Sequence, residues 1–184
     1  MEFSDDAGLL LKAIRFSADK HRNQRRKDNA HSPYINHPIE VAQLLWDVGC
    51  VRNVNVLLAA ILHDTIEDTR TRPDEIRDNF GNKVLSLVLE VTDDKSLPKA
   101  DRKRLQIETA PHKSHGAKLV KLSDKCCNVR DLVTTPPEGW SLERRCEYLL
   151  WTEQVVAGLR GTNAGLEEYY DHELASGKIL LGIA

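Results

Sequence analysis

The chain has 184 residues, with 26 Lys and Arg against 28 Asp and Glu and a formal net charge of -2. That balance excludes a protein that binds nucleic acid or membrane by bulk attraction, so any anion-binding site must be local. A chain of this length fits one domain, 1–184, and buries roughly 70% of the surface its unfolded form exposes, which is enough for a real core. The opening MEFSDDAGLL is acidic rather than a basic targeting stretch, and no apolar run approaches the ~20 residues of a membrane span. Cys50, Cys126, Cys127 and Cys146 make no CxxC pair and no dense disulfide spacing, so free thiols in a reducing compartment are expected. The location expected from these features is cytoplasmic.

Helical periodicity dominates the chain. Leu9, Leu10, Ile14, Phe16 and Ala18 predict a first helix reaching about His21, followed by the polar, proline-broken loop NQRRKDNAHSPYINHP. Pro38 suits the first turn of a second helix through Val41, Leu44 and Leu45, because its missing N–H is not needed there. That places His37 at the helix entrance. NVNVLLAAILHDTIEDT reads as one continuous third helix, and Thr71 before Pro73 and Asp74 reads as the cap of a fourth that stops before Gly81. Val84, Leu85, Leu87, Val88 and Val91 make another helix, ended by TDDKSLPKA. DRKRLQIETA, GAKLVKLSDKCCNVRDL, SLERRCEYLLWTEQVVAGLRG and TNAGLEEYYDHELA complete the series. Few segments alternate with a period of two, so the fold expected is all-α: a single compact bundle of about eight to ten helices.

The stretch LLAAILHDTIEDT places His63, Asp64, Glu67 and Asp68 at the end of an apolar run. On one helix these four fall on a single arc. A single His-Asp dipeptide is expected by chance, and alone it signals little. The surrounding acids change that, because like charges close together oppose burial unless a cation or solvent compensates. His37 upstream and Asp124 downstream, with Asn128 one turn later, are further candidates. Taken singly, His37 reads as a loop or cap residue and Asp124 as an exposed carboxylate paired with Lys121 or Lys125. Two imidazoles and two carboxylates without thiolate suit Mn²⁺, Fe²⁺, Zn²⁺ or Co²⁺ with open positions for water.

His37, the HD pair at 63 and 64, and Asp124 resemble the H…HD…D signature of the HD-domain metal-dependent phosphohydrolases, an all-α superfamily. HRNQRRKDNAHSPYINHP, AAILHDTIEDT, EVTDDKSLPKADRKRLQ, AKLVKLSDKCCNVRDL and TPPEGWSLERRCEYLLW resemble, in order, the hydrolase domain of the RelA/SpoT alarmone enzymes, and most of all its small animal branch. The likeness covers about residues 8 to 165. The cysteine pair in DKCCN departs from it, and the last fifteen residues fit it weakly. Cys126 and Cys127 make a poor second metal site, since helix neighbours point about 100° apart.

This resemblance implies that His37, His63, Asp64 and Asp124 hold one Mn²⁺, and that Glu67 and Asp68 together activate the attacking water. It implies substrate contacts from Arg26, Lys27, Lys99, Asn128, Trp140 and Tyr148, although Arg22, Arg25, Arg26 and Lys27 as a charge run would otherwise read as a solvated surface. The reaction implied is hydrolysis of guanosine-3′,5′-bis(diphosphate), ppGpp, to GDP and pyrophosphate. The alternatives are removal of the 2′-phosphate of NADPH at the same site, or a non-catalytic nucleotide-binding regulatory module. Partners are then small-molecule nucleotides, not nucleic acid or membrane, and the oligomeric state is not legible.

Overall fold

The computed structural model describes residues 6–183. Its regular structure is helical, as expected: α1 Asp6–Lys20, α2 Asn36–Asp47, α3 Val54–Leu62, α4 Thr65–Asp68, α5 Pro73–Val91, α6 Lys99–Thr109, α7 His115–Thr134, α8 Leu142–Ala157 and α9 Ala164–Leu181, with a 3₁₀ turn over Ala110–His112. Beyond the helices, one isolated antiparallel bridge pairs Arg25 with Pro33 among the described residues. No described helix is long and apolar enough to cross a membrane.

Two helices form the centre. In α3 every residue from Val56 to Leu62 is buried, and in α7 burial is unbroken from Leu119 through Cys127. A helix buried on all sides must be surrounded by others, and α7 touches α2, α3, α5, α8 and α9. Leu62, Leu122 and Val41, one from each of the mutually packed helices α3, α7 and α2, are fully buried in one continuous core. Each such aliphatic side chain contributes about 1.5–3 kcal/mol, so the meeting point of these three helices is rigid. The N-terminus of α2, the C-terminus of α3 and the middle of α7 all face it.

The ends follow from local chemistry. Ser114 Oγ accepts from Ala117 N at the start of α7, Ser141 Oγ from Arg144 N at α8, and Asn163 Oδ1 from Leu166 N at α9, each satisfying a backbone donor that the helix leaves open. The break expected at Gly81 is present: its φ of 86° and ψ of 169° bend α5 between two helical stretches, a left-handed conformation that glycine adopts without a Cβ clash.

Three expectations need correction. The segment 53–69 is not one helix: α3 stops at Leu62, a turn holds His63 and Asp64, and the four-residue α4 follows. His63 Nδ1 lies 2.7 Å from Ala60 O, and Thr65 Oγ1 donates to Leu62 O at 2.6 Å. Side chains thus take over carbonyls that the next turn of helix would have used. The cap of α5 is Arg72, not Thr71, and its N–H donates to Glu75 Oε1 at 2.9 Å. Finally, α9 runs to Leu181, past the expected end near Ala175, and closes on left-handed Gly182.

Candidate functional site

His37, His63 and Asp124 converge from α2, the α3–α4 turn and α7: each offers a ligand atom, and the three atoms lie within 4.8 Å of one another. His37 Nε2 is 3.1 Å from Asp124 Oδ1, and His63 Nε2 is 3.8 Å from the same oxygen. Asp64 joins them, its Oδ2 standing 3.0 Å from His63 Nε2 and 4.0 Å from His37 Nε2. The four sequence-predicted ligands therefore meet at one point, while His63, Asp64, Glu67 and Asp68 do not share one continuous helix.

The donor chemistry fits a divalent cation. His63 Nε2 is buried and makes no hydrogen bond despite its closeness to Asp64. With Nδ1 turned to the Ala60 carbonyl, the Nε2 lone pair is the one presented to the cluster, the arrangement that orients metal-binding imidazoles. The carboxylates are also held from behind. Tyr34 donates to Asp64 Oδ2 at 2.6 Å, Asn128 to Asp124 Oδ1 at 2.6 Å, and Lys125 to Asp124 Oδ2 at 3.2 Å. Asp124 thus pairs with Lys125 as one sequence alternative had it, but both groups are buried.

In the metal-free protein, burial pulls the His63 imidazole down, but Asp64 and Asp124 outweigh it and hold it at about 9, against an ordinary 6.5. For Asp64, burial raises the carboxyl, and the neighbouring imidazoles overcome this to leave it below the usual carboxylate range. A proton therefore occupies the place of a cation. Because the folded value of His63 is raised, its contribution to stability is complete below 6.5 and is lost as pH rises through about 9. We expect the thermal midpoint of metal-free protein to fall across that window, while Mn²⁺ affinity rises about tenfold per pH unit until His63 is neutral. Calorimetric titration at several pH values checks this, and a flat affinity between pH 6.5 and 9 would refute it.

The acid pair sits beside the cluster. Glu67 Oε2 accepts the N–H of Asp93 at 2.9 Å. Asp68 accepts from Lys95 at 2.5 Å, Tyr34 at 3.3 Å and Gln24 at 3.4 Å. Burial pushes the Glu67 carboxyl up, and the backbone donor only partly offsets it.

All six acids and imidazoles line an inner pocket of about 190 Å³. It adjoins a cleft of about 400 Å³ lined by Arg26, Lys27, Asn128, Trp140 and Tyr148. A further chamber of about 470 Å³ shares Lys27, Trp140 and Tyr148 and adds Lys99, Lys103, Arg144 and Trp151. Trp140 and Tyr148 stack edge to face at 5.6 Å. Arg144 rests on Trp140 at 4.2 Å and Lys103 on Trp151 at 4.9 Å. Burial, with Lys99 crowding it, pushes the Lys103 ammonium down, as expected of a surface shaped for anions.

Of the predicted contacts, Lys27, Lys99, Trp140 and Tyr148 face these cavities. Arg26 lines the middle cleft with its guanidinium paired to Asp131, and Asn128 is turned to Asp124. The sequence reading missed Tyr34, Lys95, Lys103 and Arg144. Only the last two carried a local signal, on helices beside Lys99 and Trp140. Cys126 and Cys127 do not form a second centre: both are buried free thiols in the core, and Cys126 faces the Leu166 carbonyl.

Comparison with known proteins agrees with this geometry. Residues 13–150 match the family model described as HD domain. The Xenopus tropicalis protein named guanosine-3′,5′-bis(diphosphate) 3′-pyrophosphohydrolase MESH1 is 56% identical over 92% of this chain and 94% of its own. The Homo sapiens protein of the same name is 58% identical over 91% and 93%. A solved structure described as a metazoan ortholog of SpoT that hydrolyzes ppGpp and plays a role in starvation responses superposes with a TM-score of 0.89 at 46% identity, covering 96% of this chain and 97% of that one. The buried imidazole and carboxylate cluster beside a cationic cleft, carried on helices that match across nearly the whole length, places the chain in the HD-domain family, in the group of the metazoan SpoT-like guanosine-3′,5′-bis(diphosphate) 3′-pyrophosphohydrolases.

Proposed function

We propose that this protein is a Mn²⁺-dependent guanosine-3′,5′-bis(diphosphate) 3′-diphosphatase. The observation that carries the reading is the convergence of His37, His63, Asp64 and Asp124 with Glu67 and Asp68 in a pocket beside a cleft lined by Lys27, Lys99, Lys103 and Arg144. The relatives' names and the matching fold support the substrate class. One HD-type domain spanning the chain carries the whole reaction, and because its substrate is a dissolved nucleotide we place it in the cytoplasm.

His37, His63, Asp64 and Asp124 would hold the Mn²⁺, which when bound lowers the pKa of water and withdraws electron density from a phosphoryl group. Tyr34, Asn128 and Lys125 fix the carboxylates so that the ligand set does not reorganise during turnover. Lys27, Lys99, Lys103 and Arg144 bind the nucleotide's remaining phosphates, and Trp140 and Tyr148 form the wall against base and ribose. Glu67 and Asp68 take a proton from the attacking water as its oxygen bonds to phosphorus and the phosphorus–O3′ bond breaks. The departing 3′-oxygen then takes up a proton, so GDP and pyrophosphate leave the acid pair as it began.

The test is metal-stripped protein incubated with ppGpp and Mn²⁺, with GDP and pyrophosphate quantified and bound metal measured by elemental analysis. NADPH is run beside it for phosphate release. Stoichiometric GDP and pyrophosphate is the expected result. Phosphate from NADPH without turnover of ppGpp reassigns the substrate, and ligand binding without any product makes the protein a binding module.

A further inference from the structure

The inner pocket and the middle cleft meet at a throat lined on both sides by four side chains: Tyr34, Asp68, Lys95 and Asn128. Tyr34 and Asn128 are committed to Asp64 and Asp124. Lys95 is the only cation of the four. Its Nζ lies 2.5 Å from Asp68 Oδ1 and 3.4 Å from Glu67 Oε1. It stands between α5 and α6, in a segment whose Asp93 N–H holds Glu67 Oε2 at 2.9 Å and whose Asp93 carboxylate accepts from Gln106 at 2.5 Å. The same short segment thus grips both members of the acid pair and is itself anchored.

Arg25 and Lys27 line the middle cleft but not the inner pocket, and the cations nearer the ligand cluster are not free to meet a phosphoryl group. Lys125 is tied to Asp124 with its side chain 4% exposed, and Arg26 is tied to Asp131. Lys121 lies buried with the Val91 carbonyl 3.5 Å away. Lys95 is 48% exposed on a flexible stem. Its ammonium has three donors, and two carboxylates leave one of them for an incoming oxyanion.

We infer that Lys95 is a catalytic residue: it binds a non-bridging oxygen of the reacting phosphoryl group while holding Asp68 and Glu67 beside it. This rests on the phosphohydrolase reading above. A phosphoryl group reaching the ligand cluster from the nucleotide cleft passes Lys95, and the negative charge of the oxyanion is largest as water adds and the 3′-oxygen departs. An ammonium held there by Asp68 and Glu67 stabilises that charge more in the transition state than in the ground state. Lys95 transfers no proton, since the acid pair accepts the one released by water.

The experiment compares full-length Lys95→Met and Lys95→Arg with wild type, measuring kcat and KM for ppGpp with Mn²⁺, and binding of inorganic pyrophosphate to metal-free protein by calorimetry. Lys95→Met should lower kcat about 100-fold with a much smaller change in KM, and weaken pyrophosphate binding about tenfold. Lys95→Arg should recover most of both losses, with metal content and thermal midpoint unchanged throughout. An ion pair that merely tethers the segment would give instead a kcat within about twofold of wild type, or a loss that tracks the thermal midpoint, and either result overturns the assignment. If wild type fails to turn over ppGpp, the proposed function falls. The pyrophosphate measurement still decides Lys95, because unchanged affinity in Lys95→Met removes it from phosphoryl binding.

Discussion

Asp124→Asn is expected to cost the protein its metal, about a thousandfold or more in hydrolysis, and part of its stability. One carboxylate serves three partners: Oδ1 lies 3.1 Å from His37 Nε2 and accepts from Asn128, while Oδ2 accepts from Lys125. The amide keeps an acceptor but loses the charge a divalent ion requires and leaves the Lys125 ammonium without its counter-ion. Burial pushes that ammonium down, and Asp124 more than reverses this. With the Lys125 side chain 4% exposed, removing one partner of the buried pair costs about 3–5 kcal/mol. Lys125→Met added to Asp124→Asn separates the two effects. The double variant should regain most of the stability, measured by urea unfolding, and none of the metal or activity. Retention of stoichiometric Mn²⁺ with a kcat within about tenfold of wild type would sink the ligand assignment.

How much of this was legible follows from the range of each interaction. The helices were readable wherever a local device ends them, such as Gly81 in α5 and Pro38 at the start of α2. The break at His63 and Asp64 was not. The apolar run and the acids after it share one helical period, and what interrupts it is a pair of side chains bonding to the Ala60 and Leu62 carbonyls, a choice that depends on tertiary packing. The ligand positions were legible through their ordered blocks, because spacing along the chain survives folding. Tyr34, Lys95 and Gln106 were not, since their partners stand 30, 27 and 13 residues away and no local pattern joins them. The burial of Lys125 was not legible, for a related reason. Its neighbour Asp124 suggests an exposed pair, but α7 is covered on all sides by other helices.

Glu67→Gln is expected to reduce kcat by about 10²–10⁴-fold while leaving Mn²⁺ bound, and to cost more than Asp68→Asn. The two acids are adjacent in sequence, yet their surroundings differ. Asp68 is met by Lys95 at Oδ1 and by Gln24 at Oδ2, so both of its oxygens already have donors. Glu67 takes one hydrogen bond, from the Asp93 N–H at Oε2, has the Lys95 ammonium 3.4 Å from Oε1, and is half-buried. Burial raises its carboxyl above the ordinary 4.5, which makes it the better proton acceptor near neutral pH. Since its folded value is raised, the basic form is lost as pH falls through a point above 4.5. Carbon-detected NMR titration of the metal-free protein should place the Glu67 carboxyl above that value. The kinetic comparison then separates the acids: Glu67→Gln should remove turnover with ppGpp affinity and metal content preserved, whereas Asp68→Asn should retain a measurable rate. Equal losses in the two variants would mean that the pair shares the proton and that neither acid alone is the base.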